Sequence, residues 1–343
     1  MTSAADRLAD ASRVVPDPPP VISLEMLRTA ARGLEGIAVR TPLLQSPPLT
    51  RLLGVPVAIK CEHLQPVGAF KIRGAYTAVS RIPPEARARG VITFSSGNHG
   101  QAVAFAARLL GTHATVVMPQ RAPRVKVEAV QRQGGEAVIA GNSSAERQEK
   151  ARELAEARGL AIVPPYESLD VIVGQGTCGL EILEEWPAVE TILVPVGGGG
   201  LIAGTAAAVS VLKPSVRVIG VEPEGAPKLA RALEAGRPVK LDHTESMADG
   251  LLPLAIGGLP FAVLSSVVRE SVLVSEDEIA AAVRFLFHEM GLSPEPSGAA
   301  TAAALLSGRV RPSGPTVAIL SGGNVDPDLF QRLVAPSTGS GQG

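Results

Sequence analysis

The sequence predicts an α/β protein whose mainly parallel sheets are flanked by helices, and three observations carry that prediction. From Val91 onward, short β-rich runs alternate with amphipathic or Ala-rich helical patterns, and strict alternation of this kind implies crossover units. Thr191 to Leu212 is a run of 22 uncharged residues interrupted by Pro195 and Gly197 to Gly200, which reads as a buried strand, a turn and a buried helix rather than a bilayer span. The 343 residues are 45% apolar and 19% charged. That is too hydrophobic for disorder and long enough for a large core, expected as two domains.

The elements follow in order. Residues 1–20 carry Asp6, Asp10, Asp17 and a proline cluster but no apolar run, so a disordered leader is expected rather than a signal peptide. Ser23 can cap a helix with Leu24, Leu27, Ala31 and Leu34 at helical spacing. Val57 to Ile59 is a short strand candidate. The alternation then runs Val91 to Phe94 and His99 to Leu110, Ala114 to Met118 and Pro123 to Gln133, Glu136 to Ala140 and Ala145 to Arg158. It resumes with Thr191 to Pro195, Leu201 to Leu212 and Val216 to Val221. Helices are expected at Pro227 to Ala235 and Glu276 to Met290, and a last strand at Thr316 to Leu320. The pattern ends near Val334, so no appended domain is expected, and the Ser/Gly-rich residues 336–343 read as a disordered tail.

Composition narrows the function. With 33 acidic and 32 basic side chains, the chain lacks the basic surplus of a nucleic-acid or anionic-membrane binder. One Trp, two Tyr and seven Phe leave few platforms for stacking bases. Cys61 and Cys178 are too few for a disulfide framework and too far apart for a zinc knuckle, so a reducing cytoplasm is expected. Glycine is the surplus residue: 36 are present where average usage gives about 24.

Ligands of doubly wound sheets sit beyond the carboxyl ends of the strands, and eight of those glycines fall in three such loops. In Val196-Gly197-Gly198-Gly199-Gly200-Leu201, backbone N–H groups at a helix start can approach a phosphate. Gly198, Gly200 and Ala203 also satisfy a dinucleotide fingerprint, with Glu222 placed as a ribose-binding acid. An NAD-type dehydrogenase therefore stays open at this stage. Ser95-Ser96-Gly97-Asn98-His99-Gly100 offers hydroxyls, an amide and free N–H groups to a small anion such as an α-carboxylate. Leu320-Ser321-Gly322-Gly323-Asn324 follows the last strand. Of only seven lysines, most of which lie on polar faces, Lys71 sits among small and apolar neighbours in Gly68-Ala69-Phe70-Lys71-Ile72-Arg73-Gly74-Ala75. A desolvated amine is a nucleophile suited to Schiff-base chemistry. Hydrolase and zinc-protease signatures are absent. An apolar lysine, a phosphate cup and an anion loop together suggest a phosphorylated aldehyde cofactor acting on an amino acid.

The motifs around Lys71, Ser95 to Gln101, Gly174-Gln175-Gly176-Thr177, Gly197 to Gly200, Glu295-Pro296-Ser297-Gly298 and Ser321 to Asn324 occur in this order. Together they closely resemble the fold-type II pyridoxal-phosphate enzymes of the threonine/serine dehydratase and serine racemase group, over about residues 23–330. The resemblance implies a two-domain fold of tryptophan synthase β type, with residues 21–80 and 168–335 in a large cofactor-binding domain and 81–167 in a small one. It makes Lys71 the Schiff-base lysine, with Phe70 beside it, and Gly197, Gly198, Gly199, Gly200 and Leu201 the phosphate cup. Asn98 matches the amide facing the cofactor's phenolic oxygen, Ser321 the hydroxyl facing the pyridine nitrogen, and Glu295 lies near the ring in similar enzymes. Ser95, Ser96, Gly97, Asn98 and His99 would hold the substrate carboxylate, and Ser96 matches the hydroxyl that racemising members use opposite the lysine.

What the resemblance implies chemically is dehydration and deamination of L-threonine or L-serine, with Lys71 removing the Cα proton. Serine racemase or 3-hydroxyaspartate dehydratase are the alternatives within the group. A serine at the pyridine nitrogen drains less charge into the ring than an aspartate would, which favours β-elimination. Relatives are commonly dimers or tetramers, and without the regulatory domain of the biosynthetic threonine enzymes, feedback inhibition by isoleucine is not expected. Two departures stand out. Ala69 replaces the serine often found before the lysine, and Lys228 stands where metal-dependent racemases place an aspartate ligand, so no required divalent cation is expected there.

Overall fold

The computed structural model describes residues 15–95, 97–122, 124–141 and 143–335. Ten strands among them form two sheets. The larger contains β1 (Leu43–Gln45), β2 (Val57–Cys61), β7 (Thr191–Pro195), β8 (Arg217–Pro223), β9 (Glu270–Val274) and β10 (Thr316–Leu320) in the order β1-β2-β10-β7-β8-β9. All its pairings are parallel except the β1 edge. The smaller contains β3 (Val91–Phe94), β4 (Ala114–Met118), β5 (Glu136–Ile139) and β6 (Ala161–Ile162) in the parallel order β5-β4-β3-β6.

Parallel strands covered on both faces read as continuous apolar runs, and every residue of β2, β4, β7 and β10 is buried. Helices fill the crossovers: α1 (Leu24–Gly33), α2 (Pro47–Leu53), α3 (Lys71–Arg81), α4 (Pro84–Arg87), α5 (Asn98–Leu109), α6 (Arg124–Arg132), α7 (Ser144–Arg158), α8 (Leu169–Glu185) and α9 (Gly200–Leu212). They continue as α10 (Lys228–Ala235), α11 (Gly258–Leu264), α12 (Glu276–Met290), α13 (Pro296–Leu306) and α14 (Pro327–Val334). Side-chain caps define several starts, as at Ser23 of α1 and in the Ser143/Glu146 and Ser275/Glu278 capping boxes.

Every strand and helix expected from periodicity is present, with ends shifted by at most two residues. Pro123, the expected start of α6, lies outside the described residues, as do residues 1–14 of the expected leader and the tail 336–343. The main element that periodicity missed is α8, whose interior holds Gly174, Gly176 and Gly179. Interior glycine costs a helix about 1 kcal/mol relative to alanine, but tertiary packing overrides that cost here. A Cβ on Gly174 would meet the Arg73 carbonyl oxygen at 2.5 Å, and one on Gly204 of α9 would meet the Gly176 nitrogen at 2.4 Å. The glycines let α8 lie backbone to backbone against α3 and α9.

A buried polar network fixes α3. Arg73, only 1% exposed, bonds Glu62 Oε2 through Nε at 2.7 Å and Glu181 Oε1 through Nη1 at 2.6 Å. Burial alone would raise the Glu62 carboxyl, but the charge and hydrogen bonds of Arg73 hold it below the ordinary range. Lys60 and Lys228 are exceptions to the expectation that most lysines lie on polar faces. Both are fully buried, paired to Glu181 at 2.7 Å and to Glu222 at 3.1 Å. An apolar strand neighbourhood hid Lys60, and the helix start after Pro227 hid Lys228.

Candidate active site

Lys71 is the first residue of α3, following Phe70 at the N-cap. The chain before it is stitched to the loop after β10: Phe70 N donates to Ser321 O at 3.0 Å, Gly323 N to Gly68 O at 2.9 Å, and Ala69 bridges Gly322. That loop is carried to Lys71 by the pairing of β2 with β10, which sets Cys61 opposite Leu320. It also receives the start of α13, since Glu295 N donates to Gly322 O at 3.0 Å. Segments far apart in sequence thus converge on one lysine.

The Lys71 ammonium differs in kind from the two buried lysines. Among the described residues its hydrogen-bond acceptor is the carbonyl of Pro165 at 3.0 Å, with the Phe70 ring centroid 5.1 Å away, and no carboxylate lies at bonding distance. Burial pushes its pKa down to about 8, against a modest opposing pull from Glu295. A partner, rather than burial, is what Lys71 lacks. A useful fraction of it is therefore a neutral amine near neutral pH.

The anion loop opens α5. Gly97 N donates to Ser95 Oγ at 3.1 Å, and Gly97 is the N-cap. His99 is buried, with Nε2 3.1 Å from the Val163 carbonyl, so that nitrogen carries the proton. Burial, followed by the charge of Lys71, pushes its pKa down to about 3, leaving a neutral ring. Its Nδ1 is a buried acceptor without a partner among the described residues. Asn98 Nδ2 donates to Glu295 Oε1 at 2.8 Å, and Asn324 Nδ2 donates to Asn98 Oδ1 at 2.9 Å. Burial, followed by the charge of Asp249, pushes Glu295 up to about 8, so this carboxyl is largely protonated at pH 7. Ser96 lies outside the described residues.

The glycine cup runs from β7 into α9. Gly199 takes φ +98°, a conformation that favours glycine, and being the N-cap it supplies no side-chain cap to α9. A Cβ on Gly198 would fall 2.1 Å from Cδ1 of Tyr166, and one on Gly197 would fall 2.7 Å from the Gly250 carbonyl oxygen. Leu201 is buried behind the turn. The segment Pro165 to Glu167 therefore ties the lysine to the cup: Pro165 accepts from Lys71, Tyr166 covers Gly198, and Glu167 Oε1 accepts from Leu259 N at 2.7 Å. Sequence reasoning missed this segment, although it follows β6 and a search of every loop after a strand would have reached it. Lys126 and Asp249, which form an ion pair beside Gly97, were missed as well.

These groups suit pyridoxal phosphate. The lysine has no competing carboxylate, the α9 amides face a loop without side chains, and the orphaned Nδ1 of His99 and the second N–H of Asn98 leave polar capacity beside the lysine. Residues 34–322 match the pyridoxal-phosphate dependent enzyme family. The chain belongs to that family. It is 46% identical over 296 residues to an L-threonine ammonia-lyase of Geobacter sulfurreducens, covering 86% of this chain and 74% of that protein. Among solved structures it is similar to a threonine deaminase of T.th., at TM-score 0.85 and 41% identity, covering 89% of this chain and 99% of that one. It is also similar to maize serine racemase, at TM-score 0.88 and 36% identity, covering 91% and 97%.

Membership in this family removes the dehydrogenase alternative, and the geometry gives the reason. Glu222, the candidate ribose acid, is fully buried and accepts from Lys228, Leu229 N, Ala230 N and Ser271. No described helix is long and apolar enough to cross a membrane.

Proposed function

We propose that this pyridoxal-phosphate enzyme dehydrates and deaminates L-threonine and L-serine to 2-oxobutyrate or pyruvate and ammonia. The observation that carries the reading is Lys71: an amine near neutrality, bonded only to a main-chain carbonyl among the described residues, beside an anion loop. The relatives named as threonine ammonia-lyase and threonine deaminase support this substrate class. Bound pyridoxal phosphate supplies an electrophilic aldehyde and a ring that accepts electron density from the substrate Cα.

The roles of the chain's own residues follow from that. Lys71 holds the cofactor, and when displaced by the substrate amine it takes the Cα proton. Ser95, Ser96, Gly97, Asn98 and His99 bind the substrate carboxylate, with the neutral His99 ring adding no charge. The amides of Gly197 to Leu201 bind phosphate at the positive end of α9. Asn98, fixed by Glu295 and Asn324, would offer its remaining N–H to the cofactor's phenolic oxygen, Ser321 would serve the pyridine nitrogen, and Phe70 and Glu295 would help hold the ring. The proton that Lys71 takes from Cα balances the one the β-hydroxyl needs to leave as water, and the released enamine takes up water to give the 2-oxo acid and ammonia.

The membership of the two sheets supports a large unit of residues 21–80 and 168–335 and a small one of 81–167. The free buried thiols of Cys61 and Cys178 support a reducing, cytoplasmic setting, and we read the enzyme as a homo-oligomer. The ion pair of Lys228 with Glu222 supports a site filled by an ammonium rather than a divalent cation. Purified protein should be yellow, lose its visible band in K71A, and release 2-oxo acid from L-threonine or L-serine. A colourless protein, or one inactive on both, would overturn the reading. Chiral analysis of residual serine tests racemisation through Ser96.

A further inference from the structure

Lys126 and Asp249 meet across the anion loop. Lys126 belongs to α6, beside the four-stranded sheet, and its Nζ lies 3.6 Å from the point where a Cβ would stand on Gly97. Asp249 opens a short 3-10 turn, Asp249–Leu251, that is fixed on the opposite side. Gly250 N donates to Ser297 Oγ at 2.9 Å, and the Gly250 carbonyl oxygen abuts Gly197 of the cup. The two side chains form an ion pair in which Lys126 is 17% exposed and Asp249 48%. Both act electrostatically on Glu295, which bonds Asn98. The pair therefore belongs to the site's electrostatics and is not a remote surface contact.

We infer that Asp249 sets substrate choice by engaging Lys126, so that neutral hydroxyamino acids are accepted and those bearing a second carboxylate are refused. The inference rests on the hydroxyamino-acid reading above. With the α-carboxylate held by residues 95–99, a second carboxylate on the substrate needs a cation within reach of that loop, and Lys126 is a cation that the fold brings beside Gly97. Asp249 occupies that cation and adds a negative charge of its own, which a dicarboxylate would meet as a like charge. Replacing Asp249 with a neutral side chain of similar shape leaves Lys126 free to take the second carboxylate. Lys126 and Asp249 are specificity-determining residues in this account and take no part in proton transfer.

The test is kcat/KM for L-serine, L-threonine and L-threo-3-hydroxyaspartate in the wild type, D249N, D249S, K126M and K126M/D249N. Each holoenzyme is first checked for its visible cofactor band and far-UV dichroism. Binding of succinate against butyrate, measured by calorimetry, reads the same preference without turnover. D249N should raise the hydroxyaspartate-to-serine ratio by about tenfold or more, mainly through KM, the scale of one charge-assisted hydrogen bond. Succinate should tighten by a similar factor, and K126M/D249N should lose both gains. A ratio unchanged in both D249N and D249S, or a gain that persists without Lys126, would overturn the inference. So would a loss in K126M that is equal for serine and hydroxyaspartate, which would make Lys126 a ligand of the α-carboxylate. A wild-type enzyme inactive on all three amino acids refutes the parent reading alone, because succinate binding still reports on Asp249.

Discussion

Lys71 makes a quantitative prediction about how the cofactor-free protein takes up pyridoxal phosphate. The reactive species is the neutral amine. With its pKa pushed down to about 8, roughly a tenth of Lys71 is neutral at pH 7, against about 3 in 10,000 for a lysine titrating at its ordinary value. Burial in this pocket therefore raises the reactive fraction by about 300-fold, equivalent to roughly 3 kcal/mol of differential stabilisation of the neutral form. The second-order rate of association, followed by the visible band from pH 6 to 10, should rise about tenfold per unit at first and level off above pH 8. Glu295 supports the ammonium only where it is ionised, near and above pH 8, so E295Q should lower the midpoint slightly and leave the rate at pH 6 to 7 nearly unchanged. A rate that keeps climbing through pH 10 would refute the argument, because it would mean that the amine is solvated like any surface lysine.

Three further outcomes follow from the packing and the buried charges. G204A should gain about 1 kcal/mol of helix propensity but lose about 1–3 kcal/mol or more to overpacking, because its Cβ would strike the Gly176 backbone, giving a net loss measurable in urea. R73M should cost about 3–5 kcal/mol by stranding the buried carboxylate of Glu62, and R73M/E62Q should recover part of that cost in the same urea titration; equal losses would contradict the network. Chelation should leave the activity intact, since the Lys228 ammonium already bonds Glu222 and the Ala226 carbonyl. Activity lost to a chelator and restored by a divalent cation would overturn that expectation.

The alternating half of the chain was legible because hydrophobic periodicity is local. β3, β4, β7 and β10, with helices α5, α6, α7, α9, α10 and α12, announce themselves within windows of about 15 residues. The site loops were legible for a related reason, since ligand loops follow strands and are rich in residues with little side chain. What stayed hidden depends on partners distant in sequence. Gly174 and Gly176 argue against a helix until α3 and α9 are seen lying against their backbones. Arg73 and Lys60 look like surface cations until Glu62 and Glu181 are found beside them. Tyr166 gives no sign of its role, because it acts by lying over Gly198, and nothing in Val163-Pro164-Pro165-Tyr166 points to residue 198. Lys126 and Asp249 are ordinary charges until the two sheets bring them together.

The adjacency of β2 and β10 has a consequence for biosynthesis. The strand leading to Lys71 is made early, yet its neighbour in the sheet, and the loop that stitches residues 68–70 in place, lie some 250 residues later. A ribosome adding about 5–20 residues per second would complete Leu320 many seconds after Lys71 has emerged. Until then the lysine has neither the Ser321 loop nor Glu295 around it. Assembly order thus delays the site: the surroundings of the carbonyl-reactive lysine are complete only after Gly323 has been made. Nascent or prematurely terminated chains expose an ordinary lysine in its place, with no tuned nucleophile to capture aldehydes in the cell.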